Sequence, residues 1–415
     1  MNFELSEEQE AFRKVVRDFA EDEIAPHAEE WDRTHHFPVD TVLAMGELGL
    51  FGLPFPPEYG GSGADFTTFC LAVEELGRVD SSMAITLSAG VGLGANPIFA
   101  FGTDDQRGRW LPPLCAGEAL AAFGLTEPDA GSDAGATRTR GRFDTSSGEW
   151  VIDGAKAFIT NSGTPITSLI TVTALTEAVA GPGGRPEDSA GPGGRPEDSA
   201  GPGGPPEGAA PRSISAIVVP AGTPGLVVEP PYRKMGWHAS DTHGLVLDGC
   251  RVPTDHLLGG QGKGLAQFLA ILDGGRIAIA ALAVGLAQAC LEQSLAHARS
   301  RQSFGGPIGR HQAIAFKIAD MAVAVECART LTYKAAWLKD HGRPVKEAAA
   351  MAKLYATEAA VAATREATQI FGGAGFLDES PVARYYRDAK ILEIGEGTSE
   401  VQRLVIGRSL GLPVA

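Results

Sequence analysis

Positive charge is scarce in this sequence: 35 Lys and Arg stand against 51 Asp and Glu, for a net charge of −16. That balance argues against non-specific nucleic-acid binding, which needs a basic footprint. A polyanionic ligand would have to be met by locally placed arginines. Cysteine is sparse as well. Cys70, Cys115, Cys250, Cys290 and Cys327 are scattered and lack CxxC spacing, so we expect reduced, mostly buried thiols of a cytoplasmic protein, not a disulfide framework. The histidines form no HExxH or comparable pattern, and no metal site is expected. Uninterrupted apolar runs such as Ile277 to Leu286 fall far short of the ~20 residues that span a bilayer, so no membrane span is expected. The acidic start, Met1 to Glu8, lacks the basic and apolar regions of a signal peptide. Ser6 followed by acids reads there as a helix N-cap. No GxGxxG joins a strand to a helix, and Gly259-Gly260-Gln261-Gly262-Lys263-Gly264 is misspaced for a phosphate loop.

What is present falls into three textures over 415 residues. Residues 1–120 read as an N-terminal α-helical domain, with an amphipathic run from Glu7 to Asp32 and further helices at Phe66 to Val79 and Asp105 to Leu114. Pro54 to Gly61 reads as an irregular loop. Residues 121–252 turn to short β-branched strands, Trp150-Val151-Ile152-Asp153, Leu169 to Val172, Ile214 to Val219 and Leu245 to Leu247, and form a small central β-barrel or sandwich domain. Residues 253–415 return to long helices, Leu265 to Arg301, Gln312 to Lys339 and Lys346 to Phe371, which suggests a four-helix bundle. Gly372-Gly373 suits a left-handed cap for the last of these. The fold class is thus α+β and multidomain. Within the β domain, residues 178–212 hold GPGGRPEDSA written twice and a near-copy. Its composition cannot offset the entropy of ordering, so a dispensable, disordered insertion is expected.

Three segments carry chemistry. In Leu272-Asp273-Gly274-Gly275-Arg276 two glycines sit mid-helix, each costing ~1 kcal/mol relative to alanine. They bare the backbone for something that passes close, beside an i, i+3 pair of Asp273 and Arg276; a tight helix crossing with an ion pair would read the same way. In Ile394-Gly395-Glu396-Gly397-Thr398-Ser399 a carboxylate lies between glycines, as a base approaching an acidic C–H would require. A plain surface turn is the alternative. Finally, Phe123-Gly124-Leu125-Thr126-Glu127-Pro128-Asp129-Ala130-Gly131-Ser132-Asp133 and Phe158-Ile159-Thr160-Asn161 put hydroxyls and an aromatic where a planar heterocycle could lie, or are simply loop and core.

Taken together, TEPDAGSD at 126–133, RQSFG at 301–305, QIFGGAGF at 369–376 and EGTSEVQR at 396–403 resemble the acyl-CoA dehydrogenase family in order and spacing. The resemblance runs from about residue 3 to residue 412, broken only by the repeats. It implies an FAD-dependent oxidoreductase that removes hydrogen from Cα and Cβ of an acyl-CoA, with FAD lying between domains and subunits. Glu396 matches the catalytic base. Some members carry that base on the bundle helix just before the arginine, where this chain has Gly275. The resemblance places the thioester carbonyl against the Glu396 N–H and a ribityl hydroxyl. Ser132, Asp273, Arg276, Gly395 and Gly397 match substrate-binding positions. Phe123, Leu125, Thr126, Phe158 and Thr160 match positions at the isoalloxazine, Ser132 and Ile159 match further cofactor-binding positions, and Thr398 and Glu400 share the loop of the base. Arg301, Ser303, Phe304, His311, Gln312, Gln369, Gly372 and Gly373 match positions that hold the pyrophosphate and adenosine, partly across a subunit boundary. Phe158 replaces a commoner tryptophan, and Gly395 a bulky residue, which favours short or branched acyl chains. A homotetramer and electron-transfer flavoprotein as acceptor are implied partners. An oxygen-using oxidase or monooxygenase relative, and a non-catalytic scaffold of the same fold, are the rival readings.

Overall fold

The computed structural model describes residues 4–177 and 212–414; the repeats at 181–210, and the expectation made for them, lie outside these residues. Helix α1 (Glu7–Phe19) starts on the expected cap: the Gln9 N–H donates to Ser6 Oγ at 3.1 Å and the Gln9 side chain accepts from the Ser6 N–H. The single run expected to Asp32 is broken. A π-turn at Ala20–Ile24 and the turn at Pro26 precede α2 (Ala28–Thr34), because proline has no N–H with which to continue the ladder. Then come α3 (Val39–Glu47), α4 (Phe66–Val79), α5 (Ser81–Ser88), α6 (Asn96–Phe101) and α7 (Asp104–Cys115). The loop from Pro54 to Gly61 contains a short 3-10 turn at Pro57–Tyr59.

The central strands are β1 (Leu120–Gly124), β2 (Arg140–Asp144), β3 (Glu149–Thr160), β4 (Thr167–Glu177), β5 (Arg212–Pro220), β6 (Leu226–Val228), β7 (Thr242–Pro253) and β8 (Leu257–Leu258). All eight belong to one sheet of order β6-β7-β3-β2-β4-β5-β8, with β1 added beside β4. Ile152 of β3, Val172 of β4, Ile217 of β5 and Leu247 of β7 share one buried cluster, so the sheet curls over its own core. Glu177 pairs directly with Arg212 across the β4–β5 hairpin.

The long helices are α8 (Gly264–Ser300), α9 (Gln312–Asp340) and α10 (Lys346–Phe371), followed by α11 (Pro381–Ala389) and α12 (Ser399–Ser409); a small hairpin of β9 (Gln302–Ser303) and β10 (Gly306–Pro307) joins α8 to α9. Lys317, early in α9, pairs with Glu366, late in α10, and Ser409 at the end of α12 donates to Glu347 at the start of α10 at 2.8 Å. Helix α10 therefore runs antiparallel to both α9 and α12. Helix α8 and the segment Ser81–Phe101 are each apolar and long enough to cross a membrane by composition, yet 78% and 67% of their apolar windows are buried inside the protein. They are core helices.

One polar cluster fixes the approach to the C-terminal turn. Arg387 of α11 pairs with Asp32 of α2, His238 Nδ1 stands 2.9 Å from the same carboxylate, and Asp388 Oδ1 accepts from the Trp237 N–H at 2.7 Å. The helical domain, the 232–241 loop and α11 are locked there, immediately before residues 390–398.

Candidate active site

The turn between α11 and α12 carries Glu396 with φ at +53°, followed by Gly397 at +94°. A left-handed glutamate is uncommon, and such strain persists only where the surroundings impose it. Two donors converge on the Gly397 carbonyl: Lys353 Nζ of α10 and Gln402 Nε2 of α12, both at 2.8 Å. Thr398 closes the turn by accepting from the Val401 N–H as the cap of α12.

This conformation sends the Glu396 side chain inward. Both carboxylate oxygens are buried and have no hydrogen-bond partner among the described residues. The Glu396 N–H likewise has no acceptor among them. Burial pushes the carboxyl up to about 7, against the opposing pull of Lys353 and Arg276. A plain surface turn is excluded.

The mid-helix glycines explain where the carboxylate goes. A Cβ on Gly275 would overlap Glu396 Oε2, whereas one on Gly274 would meet nothing closer than Lys339 Nζ at 3.5 Å. The expected close approach is thus confined to Gly275. Arg276 donates to Asp273 at 2.6 Å, and the buried Arg276 Nε has no partner among the described residues. Burial raises the Asp273 carboxyl, with Arg276, Lys346 and Lys339 opposing. At Gly395 the one neighbour a Cβ would meet within 4 Å among the described residues is the Ile391 carbonyl at 3.5 Å, ordinary contact.

The residues matched from the sheet lie on β3 and on the loop after β1. Phe158, near the end of β3, has φ at +60°, is 66% exposed, and stands 5.2 Å from the Tyr232 ring. Thr160, Leu125 and Thr126 are half-buried and Ser132 is exposed. Ile159 points into the sheet core, and Phe123 is buried with its ring stacked 3.9 Å from Phe268 of α8. Only the backbone of Ile159 is therefore free to face a ligand. The loop after β1 hangs on Glu127, which accepts from the Arg138 and Thr139 N–H groups at 2.6 and 3.0 Å and pairs with buried Lys156 at 2.8 Å.

A second set lies elsewhere. Arg301, Ser303, Phe304, His311 and Gln312 follow α8, while Gln369, Gly372 and Gly373 end α10; His297 stacked 4.1 Å from Phe371 joins these two helix ends. At 1.5 Å per residue, Arg301 is about 38 Å along α8 from Arg276. Within one chain these residues are not brought to Glu396. The buried His311 Nε2 has no partner among the described residues, and Phe304 is 86% exposed. Gly372 has φ +61° but ψ −135°, outside the left-handed helical cap expected for it, although still a glycine conformation.

Family models for the acyl-CoA dehydrogenase N-terminal, middle and C-terminal domains match residues 6–118, 122–185 and 262–411. The chain belongs to the acyl-CoA dehydrogenase family. It is 50% identical to a probable acyl-CoA dehydrogenase of Bacillus subtilis over 99% of this chain and 100% of that one. It is 42% identical to the mitochondrial short-chain specific acyl-CoA dehydrogenase of Bos taurus, over 98% and 91%. The solved butyryl-CoA dehydrogenase of Megasphaera elsdenii superimposes with a TM-score of 0.89 at 40% identity, covering 99% of this chain and 100% of that chain.

Acyl-CoA dehydrogenases are FAD-dependent oxidoreductases, and the residues here fit that cofactor. The exposed Phe158 ring beside Thr160 and Thr126 offers an apolar face with hydroxyls, and His311 Nε2 and Arg301 offer polar groups at the other end of the bundle. Several residues of the site escaped sequence reading: Lys353, Gln402, Phe268 and the Glu127–Lys156 pair. A signal for Lys353 existed. It stands in the buried stripe Ala349, Ala352, Ala356, Ala360 and Ala363 of α10, the one cation on an otherwise small and apolar face.

Proposed function

We propose that this chain dehydrogenates an acyl-CoA between Cα and Cβ, with Glu396 taking the α proton. The observation that carries the reading is the Glu396 carboxylate itself: buried, without hydrogen bonds among the described residues, and pushed up to about 7. A base of that strength is ionised in a useful fraction at neutral pH and still gains from protonation. The unpaired Glu396 N–H is a donor for the thioester oxygen as negative charge develops there. Asp273 and Arg276 border the same space and would orient the CoA portion, with Ser132 and Gly397 beside it. Leu125, Thr126, Phe158 and Thr160 would hold the isoalloxazine, with Phe123, Ile159, Thr398 and Glu400 next to them. FAD, when bound, supplies the acceptor for the β hydride.

The separation of Arg301 from Arg276 supports a cofactor site shared between copies of the chain. In that arrangement Arg301, Ser303, Phe304, His311, Gln312, Gln369, Gly372 and Gly373 serve a neighbour's FAD. Exposed Phe304, Phe316, Val323, Phe376 and Leu377 give such an assembly apolar surface to bury, and a homotetramer is the proposed state. The substrate is a short or branched acyl-CoA. Support comes from the open Gly395 position and from the short-chain and butyryl-CoA names of the relatives. Electron-transfer flavoprotein is the proposed acceptor and the cytoplasm the proposed location, which suits five free cysteines. The test is a panel of acyl-CoAs with an artificial acceptor, reading 2-enoyl-CoA and peroxide. Enoyl product with little peroxide in air is expected; stoichiometric peroxide would make the chain an oxidase, and no enoyl product from any thioester would refute the reaction.

A further inference from the structure

The structure brings a cation to the base that the resemblance had not singled out. Lys353 is fully buried on α10 and donates to the Gly397 carbonyl at 2.8 Å. That carbonyl belongs to the residue directly after the left-handed Glu396, so holding it fixes the turn that carries the Glu396 side chain. Gln402 supplies a second donor to the same oxygen, so the turn is gripped from two helices. The Gln402 contact is neutral, whereas the Lys353 contact carries charge.

We propose that Lys353 is a positioning residue for the proton transfer: its ammonium holds the turn that aims Glu396 and supplies the positive field in which the carboxylate forms. This rests on the reading of Glu396 as the base. The charged groups around the pair are few. Arg276 faces Glu396 from α8 and is itself paired with Asp273, while Glu393 and Glu358 act on Lys353 from the preceding turn and from α10. Burial lowers the Lys353 ammonium to about 8, with Glu396 opposing that fall, and Lys353 in turn opposes the rise of the Glu396 carboxyl, so each group favours the charged form of the other. An uncharged residue at 353 leaves Arg276 as the remaining cation acting on the carboxylate, and the carboxyl must then titrate higher.

The experiment uses the FAD-loaded enzyme with Lys353→Met (no charge, no donor), Lys353→Gln (donor without charge) and Lys353→Arg (charge kept). Two readouts are taken. One is the pH dependence of flavin reduction by butyryl-CoA; the other is the titration of the Glu396 carboxyl by infrared difference against Glu396→Gln, without substrate. Met and Gln should move both the acid limb and the carboxyl titration up by roughly one pH unit. Reduction would then slow about tenfold at pH 6 and much less at pH 9, and Arg should return the limb toward wild type. A loss of equal size at every pH, with the carboxyl titrating as in wild type, would show a merely structural lysine and overturn the proposal. If the Met variant does not fold, Gln against Arg decides the same question. The base assignment fails separately: undiminished flavin reduction in Glu396→Gln would refute it whatever position 353 does.

Discussion

Replacing Glu396 by glutamine should stabilise the protein while disabling it, and the gain should depend on pH. The carboxyl titrates at about 7 in the fold against a usual 4.5. At 1.36 kcal/mol per pH unit, holding the ionised group in that buried place costs roughly 3 kcal/mol once both states are ionised. The sign follows from a raised acid. Below 4.5 the folded and unfolded carboxyls are both protonated and no penalty exists. The penalty grows as pH rises from there and is complete above 7. Glutamine never ionises, and because the Glu396 carboxylate makes no hydrogen bonds among the described residues, the amide forfeits none. The assay is thermal or urea unfolding of the FAD-loaded enzyme, without acyl-CoA, at several pH values between 4.5 and 8.5. The variant should exceed wild type by ~2–3 kcal/mol at pH 8 and match it near pH 4.5. Equal stability at pH 8, or a gain that does not change with pH, would show that the carboxylate is not the desolvated base described here.

Arg301→Ala should weaken FAD retention and loosen the oligomer, read as flavin content after gel filtration and mass by sedimentation; a monomer with full FAD content would refute the shared site. Gly395→Tyr should penalise kcat/KM for isobutyryl- or 2-methylbutyryl-CoA more than for butyryl-CoA. A Cβ at this position makes only ordinary contact, and a methyl-sized misfit is worth ~1–3 kcal/mol; equal losses for both classes would remove this position from substrate selection.

Much of this was legible in the sequence for definable physical reasons. The long helices α8, α9 and α10 announced themselves because their helix-former-rich stretches are far longer than any strand, and the Ser6 cap because its partner lies only three residues away. The Gly275 approach was legible as a violation, since glycine mid-helix needs a reason, but which glycine mattered depended on where Glu396 points. Lys353 was missed because its target, the Gly397 carbonyl, is 44 residues distant; the alanine stripe around it marks it as buried but not what it binds. The break at Pro26 was missed because the amphipathic pattern continues across it. The Arg301 group was placed with the cofactor by resemblance, and only the length of α8 shows that one chain cannot bring it to its own base.

The central claim is that Glu396 takes the α proton of an acyl-CoA. Anaerobic mixing of wild type and Glu396→Gln, matched for FAD content, with butyryl-CoA tests it most directly by the bleaching of flavin absorbance. The account predicts rapid bleaching in wild type and a rate lower by several orders of magnitude in the variant, on the order of a lost catalytic base. Bleaching of the variant at a rate close to that of wild type would contradict it.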